Sequence, residues 1–200
     1  MRVEIEGVKQ TRKAIRQFAP DLNKELNSEL RIALAPIAKK ARGFVPSDSP
    51  MSGWAARSFS EAKFPFYNAG TIRSGIGFTT KAGRTTRSGF TSNASIFNKS
   101  VAGAIYETAG RTNQDGQPWV GSKAGGTSKK VSRSINPQAG AKFIENLGEL
   151  TSSTKGRGRL ILKAWAQDQG KAYGAAIKAI DKAERKFIER SKTETFRKAA

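Results

Sequence analysis

The chain has 200 residues, and its 36 Lys and Arg against 16 Asp and Glu give a net charge of +20 at neutral pH. It contains no His and no Cys, the side chains most used near neutral pH for proton transfer, thiolate attack and metal ligation. The composition therefore predicts a protein that binds an anionic partner and has no catalytic residues, cofactor or metal. No apolar run reaches the length of about 18 residues that a membrane helix needs.

Three windows contain no acid, residues 62–106, 116–144 and 150–167, so their positive charge is not balanced within them. Together these windows hold fifteen Lys and Arg. A solvated face normally carries both signs, so long acid-free windows favour a polyanion nearby. We take the fifteen basic side chains as the candidate electrostatic footprint.

The N-terminal part predicts a short strand and two helices. Apolar and charged residues alternate over residues 2–6, which is typical of a half-buried strand, and helical spacing follows over 8–18. The clearest pattern then predicts a long helix over Leu22–Phe44, which we expect Pro36 to kink but not to end. Its apolar stripe consists of Leu22, Leu26, Leu30, Ala33, Ile37, Ala41 and Phe44.

The middle of the chain predicts loops around one hairpin. Residues 46–70 mix turn formers with aromatic residues, which indicates an ordered loop anchored by aromatic side chains. Thr71–Phe97 reads as a β-hairpin with a basic tip. Val101–Thr108 fits either a strand end or a helix, and Arg111–Asn136 is a long polar, glycine-rich loop.

The C-terminal part predicts a short helix over Pro137–Leu150 and a long helix within residues 158–200, whose apolar stripe runs from Leu160 to about Arg190. The fold class is therefore α+β, with a small antiparallel sheet packed on the long N-terminal-half helix, long loops and a long C-terminal helix. We expect one domain over residues 1–200, with its core in 1–150.

Few acids are present in the middle of the chain, and their spacing brings no pair together for acid-base or metal chemistry. We expect Asp48, Glu61, Glu107 and Asp115 to act as helix caps and ion-pair partners. The aromatic residues around Tyr67 have two interpretations. They could stack on nucleic acid bases, but anchoring a loop or filling a subunit interface is favoured.

Four segments resemble, in the same order, motifs of the head-tail joining (neck, or tail-completion) family of long-tailed double-stranded DNA bacteriophages. Phe44–Asp48 and Ser52–Ser58 resemble the family's first motif, which follows a long helix. Ala104–Gly110 is similar to a second motif, and Pro137–Ile144 takes the place of a third, before a terminal helix. The resemblance covers most of the chain.

The resemblance implies a structural virion protein of the neck, assembled in the host cytoplasm, which forms a homo-oligomeric ring between head and tail. A hexamer would match tail symmetry, with neighbouring neck and tail proteins as partners and genomic duplex DNA passing through by non-specific contact. A free nucleic-acid-binding protein and the adjacent tail-terminator ring are the alternatives.

Two groups of residues are the candidate sites under this hypothesis. The DNA-channel candidates are basic residues of the hairpin tip and the long loop: Lys81, Arg84, Arg87, Lys123, Lys129, Lys130 and Arg133. The candidates for loop anchors or subunit contacts are Trp54, Tyr106, Trp119 and Trp165.

Overall fold

The structure, a computed structural model, describes residues 13–17, 19–55, 65–81, 83, 87, 94–114, 136–153 and 156–199. The predicted strand over residues 2–6 and most of the predicted loop over Arg111–Asn136 lie outside these residues. So do residues 56–64 of the aromatic loop.

The fold is α+β, as the sequence predicts. Strand β1 pairs with β2, and β3 pairs antiparallel with β4, with Ser152 opposite Arg157. The elements in chain order are α1 (residues 13–17), α2 (Pro20–Gly43), a 3-10 turn (Ser52–Trp54), α3 (Ala69–Gly75), β1 (Ile76–Thr79), β2 (Ser95–Asn98), α4 (Val101–Thr108), α5 (Ala139–Asn146), β3 (Thr151–Ser153), β4 (Gly156–Gly158), α6 (Ile161–Gln167) and α7 (Lys171–Ala199).

The chain divides into two compact units. The first unit comprises Met1–Lys39, Phe78–Ile96 and Asp168–Ala200, and the second comprises Lys40–Gly77 and Phe97–Gln167. The single domain expected over residues 1–200 stays a prediction.

The core of the first unit lies between α2 and α7. Leu22, Leu26 and Leu30 of α2 are buried against Ala179 and Ala183 of α7. Leucines spaced by four residues form one face of a helix, and small alanines opposite them allow the two helices to approach closely. The apolar stripe predicted for the long helix is therefore the packed face.

A row of ion pairs fixes the register of α2 and α7. Arg190 pairs with Asp21 at 2.6 Å, Lys186 with Glu25 at 2.7 Å and Lys182 with Glu29 at 3.0 Å. Each step of four residues forward on α2 matches a step of four backward on α7, so the helices are antiparallel. Because these pairs are exposed, they set orientation more than they add stability.

Helix α2 confirms the long helix predicted over Leu22–Phe44, and it continues through Pro36. Proline removes one backbone N–H, which leaves the carbonyl of Ile32 without its helical partner. Both residues are exposed, so water can bind that carbonyl. The short helix predicted over Pro137–Leu150 is α5, and the ambiguous segment Val101–Thr108 is helical.

The strand predicted from Thr71 is wrong in its first half, because Ala69–Gly75 is helix α3. Asn68 caps this helix, since its side chain accepts a hydrogen bond from the Thr71 N–H at 2.8 Å. Ile72 and Ile76 are four residues apart, a spacing that fits one helix face as well as an alternating strand. Only Ile76–Thr79 forms the strand.

The single C-terminal helix predicted from Leu160 is also wrong at its start, although the long C-terminal helix itself is confirmed as α7. The chain leaves helical geometry at Gln169 and Gly170, whose φ angles are 53° and 79°. The Asp168 side chain then accepts a hydrogen bond from the Ala172 N–H at 2.6 Å and caps α7. Upstream, β3 and β4 form a hairpin that the sequence did not predict.

The packing of α2 predicts different costs for two aliphatic truncations. Leu26 is 2% exposed and Ile32 is 68% exposed. Leu26→Ala should lower the free energy of unfolding by about 2–5 kcal/mol, because it leaves a cavity. Ile32→Ala should change it by no more than about 0.5 kcal/mol. Urea denaturation measures both, and equal losses would contradict the packing.

Candidate functional site

The charged centre of the second unit begins with Glu107, in the last turn of α4. Glu107 is 7% exposed. Its carboxylate accepts hydrogen bonds from the backbone N–H of Leu160, of Ile161 at 3.2 Å and of Leu162 at 2.9 Å. These N–H groups precede or open α6, where the backbone has no helical acceptor for them. Glu107 therefore caps the N-terminus of α6, and its negative charge is favourable there.

Arg159 caps the opposite kind of helix end, the C-terminus of α4. This side chain is 4% exposed, and its Nη1 donates to the carbonyl oxygens of Tyr106 at 3.1 Å and Ala109 at 2.7 Å. Its Nε donates to the Gly148 carbonyl at 2.8 Å. A cation at a helix C-terminus is favourable. We call this arrangement, in which Glu107 caps α6 and Arg159 caps α4, the reciprocal cap.

Trp54 anchors the aromatic loop from within. It is 2% exposed, and its indole Nε1 donates to the Pro65 carbonyl at 2.8 Å. Its ring contacts those of Tyr67 and Phe143, with centroid separations of 5.2 and 5.5 Å. The two ends of the segment that connects residues 54 and 65 are thus held together by one buried indole.

Tyr67 extends the same aromatic cluster towards α4. Its ring lies 6.3 Å from that of Tyr106, and its hydroxyl donates to the Pro46 carbonyl at 2.7 Å. Burial raises the pKa of Tyr67 to about 12, and burial also raises the pKa of Tyr106. A buried phenol that donates a hydrogen bond is a structural group, and it is unavailable for stacking on bases.

The structure describes only some of the predicted site residues. Lys81 and Arg87 are exposed, and Trp165 is half-buried on α6. Arg84, Lys123, Lys129, Lys130, Arg133 and Trp119 lie outside the described residues. The arrangement of the DNA-channel candidates therefore stays a prediction.

The sequence wrongly includes Arg159 among the fifteen basic residues of the candidate electrostatic footprint. Arg159 is 4% exposed, and its Nε and Nη1 donate to three carbonyls, so it acts inside the second unit and not as an open surface charge. Its sequence context, the basic Arg157-Gly158-Arg159, carries no signal of burial, because the partners lie about fifty residues upstream. The expectation that the middle acids act as caps holds for Glu107.

A cleft of about 680 Å³ opens beside the reciprocal cap. It is lined by the exposed carboxylates Glu145 and Glu149 and by Arg157, with Arg159 at its inner side. Among the described residues there is no group of three or more Asp and Glu that could hold a metal ion. Within the same residues, no helix is both long and apolar enough to cross a membrane.

Comparisons with known proteins give no relative to set beside this geometry: no protein-family model, curated protein or solved structure matches the chain.

The reciprocal cap predicts that an isosteric substitution of Glu107 lowers the free energy of unfolding strongly. Glu107→Gln keeps the shape of the side chain but places an amide donor among N–H donors, and it removes a charge that balances Arg159. We expect a loss of about 2–4 kcal/mol in the free energy of unfolding. Glu145→Gln, on the exposed face of α5, is the matched control and should cost no more than about 0.5 kcal/mol.

Hydrogen exchange gives this prediction its local readout. In Glu107→Gln, the amides of Leu160, Ile161 and Leu162 should exchange faster than in the wild type. In Glu145→Gln, their exchange rates should be unchanged. Equal stability of the two variants, or unchanged exchange at α6, would contradict the capping role.

The buried phenol of Tyr67 predicts a loss of stability in alkali. Its pKa is raised from the ordinary 10.0 to about 12, so the unfolded chain releases this proton before the folded chain does. Stability from this group is complete below pH 10.0 and should fall as the pH rises towards about 12. In Tyr67→Phe the alkaline decline of unfolding free energy should be shallower. Parallel declines in the two proteins would show that Tyr67 does not cause it.

Proposed function

We propose that this chain is a structural subunit of the neck of a long-tailed bacteriophage. It forms a homo-oligomeric ring that joins the DNA-filled head to the tail and lets the genome pass. Its place would be the virion neck, after assembly in the host cytoplasm, in contact with neighbouring neck and tail proteins. The single observation that carries the proposal is the meeting in space of the segments that resemble this family.

The first and third of these segments meet through aromatic rings. Trp54 lies in the first segment and Phe143 in the third, about ninety residues later, and their rings are 5.5 Å apart. A chance likeness between separate stretches gives no reason for them to pack together. Their contact supports reading them as parts of one motif set.

The second segment packs directly on the third, and it reaches the first through Tyr67. Its Gly110, with a φ of 79°, packs so closely on Ile144 of the third segment that a Cβ there would lie 2.6 Å from the Ile144 Cγ2. Its Tyr106 contacts Tyr67, which itself contacts Trp54. In this proposal the motif residues serve to hold a rigid subunit, which is what a ring component requires.

The charge supports the same proposal. A ring around DNA needs positive groups that attract the duplex without reading its sequence. We assign this role to Lys81, Arg84 and Arg87 at the hairpin tip, with the basic residues of the long loop as the second set. Lys81 and Arg87 are exposed, as a lumen position requires.

The aromatic candidates take different roles in the proposal. Trp54 and Tyr106 are buried within the second unit, so they anchor loops inside one subunit. Trp119 of the long loop is left as the candidate for a contact between subunits, together with the half-buried Trp165.

Native mass spectrometry and negative-stain microscopy of the purified chain test the proposal. We expect a closed ring of one stoichiometry, six subunits by tail symmetry, with weak binding to free DNA. A chain that stays monomeric at all concentrations and binds DNA tightly would instead support the free nucleic-acid-binding protein.

The channel residues predict a separate outcome. The triple variant Lys81→Ser, Arg84→Ser and Arg87→Ser should assemble into the same ring and should retain or transmit DNA less well in assembled particles. A triple variant with the same charge change on α7, Lys171→Ser, Lys178→Ser and Lys192→Ser, is the control. Unchanged infectivity of the hairpin variant would count against the lumen assignment.

A further inference from the structure

Helix α2 carries all of its acids in its N-terminal half. Its three acids, Asp21, Glu25 and Glu29, are held by cations of α7 at 2.6 to 3.0 Å. The hydrogen bond from Arg190 lowers the pKa of Asp21, and those from Lys186 and Lys182 lower the pKa of Glu25. The negative charges of this row are therefore balanced by the cations of α7.

Lys24, Arg31 and Lys39 of α2 are exposed and lie within an arc of about 80° of the helix circumference, in which Lys39 has the same direction as Asp21 five turns earlier. Lys24 directly precedes Glu25, so it points about 100° further around the helix. From Lys24 an exposed line continues in steps of three or four residues through Ser28, Arg31, Ala35 and Lys39. We call these five residues the basic ridge. They all belong to the first unit.

The basic ridge is regular and uninterrupted. Its cations are seven and eight residues apart, which places them about 10.5 and about 12 Å apart along the helix. Ser28 and Ala35 between them are small, so a large partner can approach the backbone closely. Lys24, Arg31 and Lys39 make no ion pair or hydrogen bond with another described residue.

The outer face of α7 shows what an ordinary solvated face of this protein is like. Its exposed cations Lys178, Arg185 and Lys192 also repeat every seven residues. Exposed acids stand between them: Asp181, Glu184 and Glu189. Mixed signs are normal for a surface that meets only water. By contrast, no acid follows Glu29 in α2, and the next one in the chain is Asp48.

We propose that the basic ridge binds the phosphate backbone of duplex nucleic acid. Three exposed cations that span about 22 Å along the solvent-exposed side of α2 match a rod-like polyanion, in which backbone charge recurs about every 1.7 Å. Helix α2 carries no aromatic residue on which an unpaired base could stack. Its amides, Asn23 and Asn27, are half-buried and lie off the ridge, so the contact reads no sequence.

This inference deepens the proposed function, and it rests on that function only for the identity of the duplex as the passing genome. It adds a surface that the sequence did not suggest, because the three acid-free windows begin after α2. Unlike Arg159, whose side chain donates to backbone carbonyls inside the second unit, the cations of the basic ridge are exposed.

Fluorescence anisotropy with a short mixed-sequence DNA duplex, titrated with salt, tests the inference. The ridge variant carries Lys24→Ser, Arg31→Ser and Lys39→Ser, and the control carries Lys178→Ser, Arg185→Ser and Lys192→Ser, so both lose three charges from one helix. The ridge variant should bind on the order of 30-fold more weakly at low salt. Its slope of log affinity against log salt should fall by about 2.7, since each phosphate contact contributes about 0.9. The control should change the slope by less than about 1.

Three outcomes would overturn the inference. The first is equal loss in the two variants, which would mean that only net charge matters. The second is unchanged duplex binding by the ridge variant together with weaker binding to polyglutamate, which would assign the surface to an acidic protein. The third is an unchanged salt slope in the ridge variant.

Ring formation is measured on the same samples, so the two proposals fail separately. If rings form and both variants bind DNA equally well, the inference about the basic ridge is wrong and the proposed function still stands. If the wild type stays monomeric and its duplex binding depends on the basic ridge, the proposed ring is wrong and the inference about the ridge still stands. Circular dichroism of both variants checks that α2 and α7 remain folded.

Discussion

The second unit depends on one arrangement of two buried charges, the reciprocal cap. Helices α4 and α6 have eight and seven residues, which is too short for either to be stable alone. Each obtains its terminal partners from a charged side chain carried by the other segment. A buried charge is costly unless hydrogen bonds satisfy it, and here Glu107 accepts from three N–H groups while Arg159 donates to three carbonyls. The two helix ends therefore form together or not at all.

The rest of the unit is organised around this arrangement. Tyr106 precedes Glu107 and joins the aromatic cluster of Trp54 and Tyr67, while Gly110 follows α4 and packs on α5. The carbonyl of Gly148 ties the end of α5 to the same guanidinium. Segments far apart in the chain thus meet at a centre where Glu107 and Arg159 together make six hydrogen bonds to backbone groups. This is the property of a rigid building block, and it is consistent with the proposed role in a ring.

The sequence predicts best what depends on local periodicity. Helix α2 follows from its leucine spacing, and it continues through Pro36 as expected. Prediction fails where two patterns coincide, as at Ile72 and Ile76, or where backbone geometry interrupts a continuous apolar stripe, as at Gln169 and Gly170. In the site, the sequence indicates that Glu107 is a cap, but its partners are 53 to 55 residues away. The sequence predicts a surface charge at Arg159, because only the tertiary structure shows that its side chain donates to three carbonyls.

The excess of positive charge consequently has more than one use. Part of it is internal, at Arg159, and part sets the register of α7 on α2 through ion pairs. What remains on the basic ridge and at the exposed Lys81 and Arg87 is available to a polyanion.

The proposed neck role is tested most directly by cryo-electron microscopy of the tailed phage particles to which the proposal assigns this chain. The account predicts a ring of this fold between the head and the tail, with duplex density through its centre. Particles whose neck is complete without this chain would contradict it.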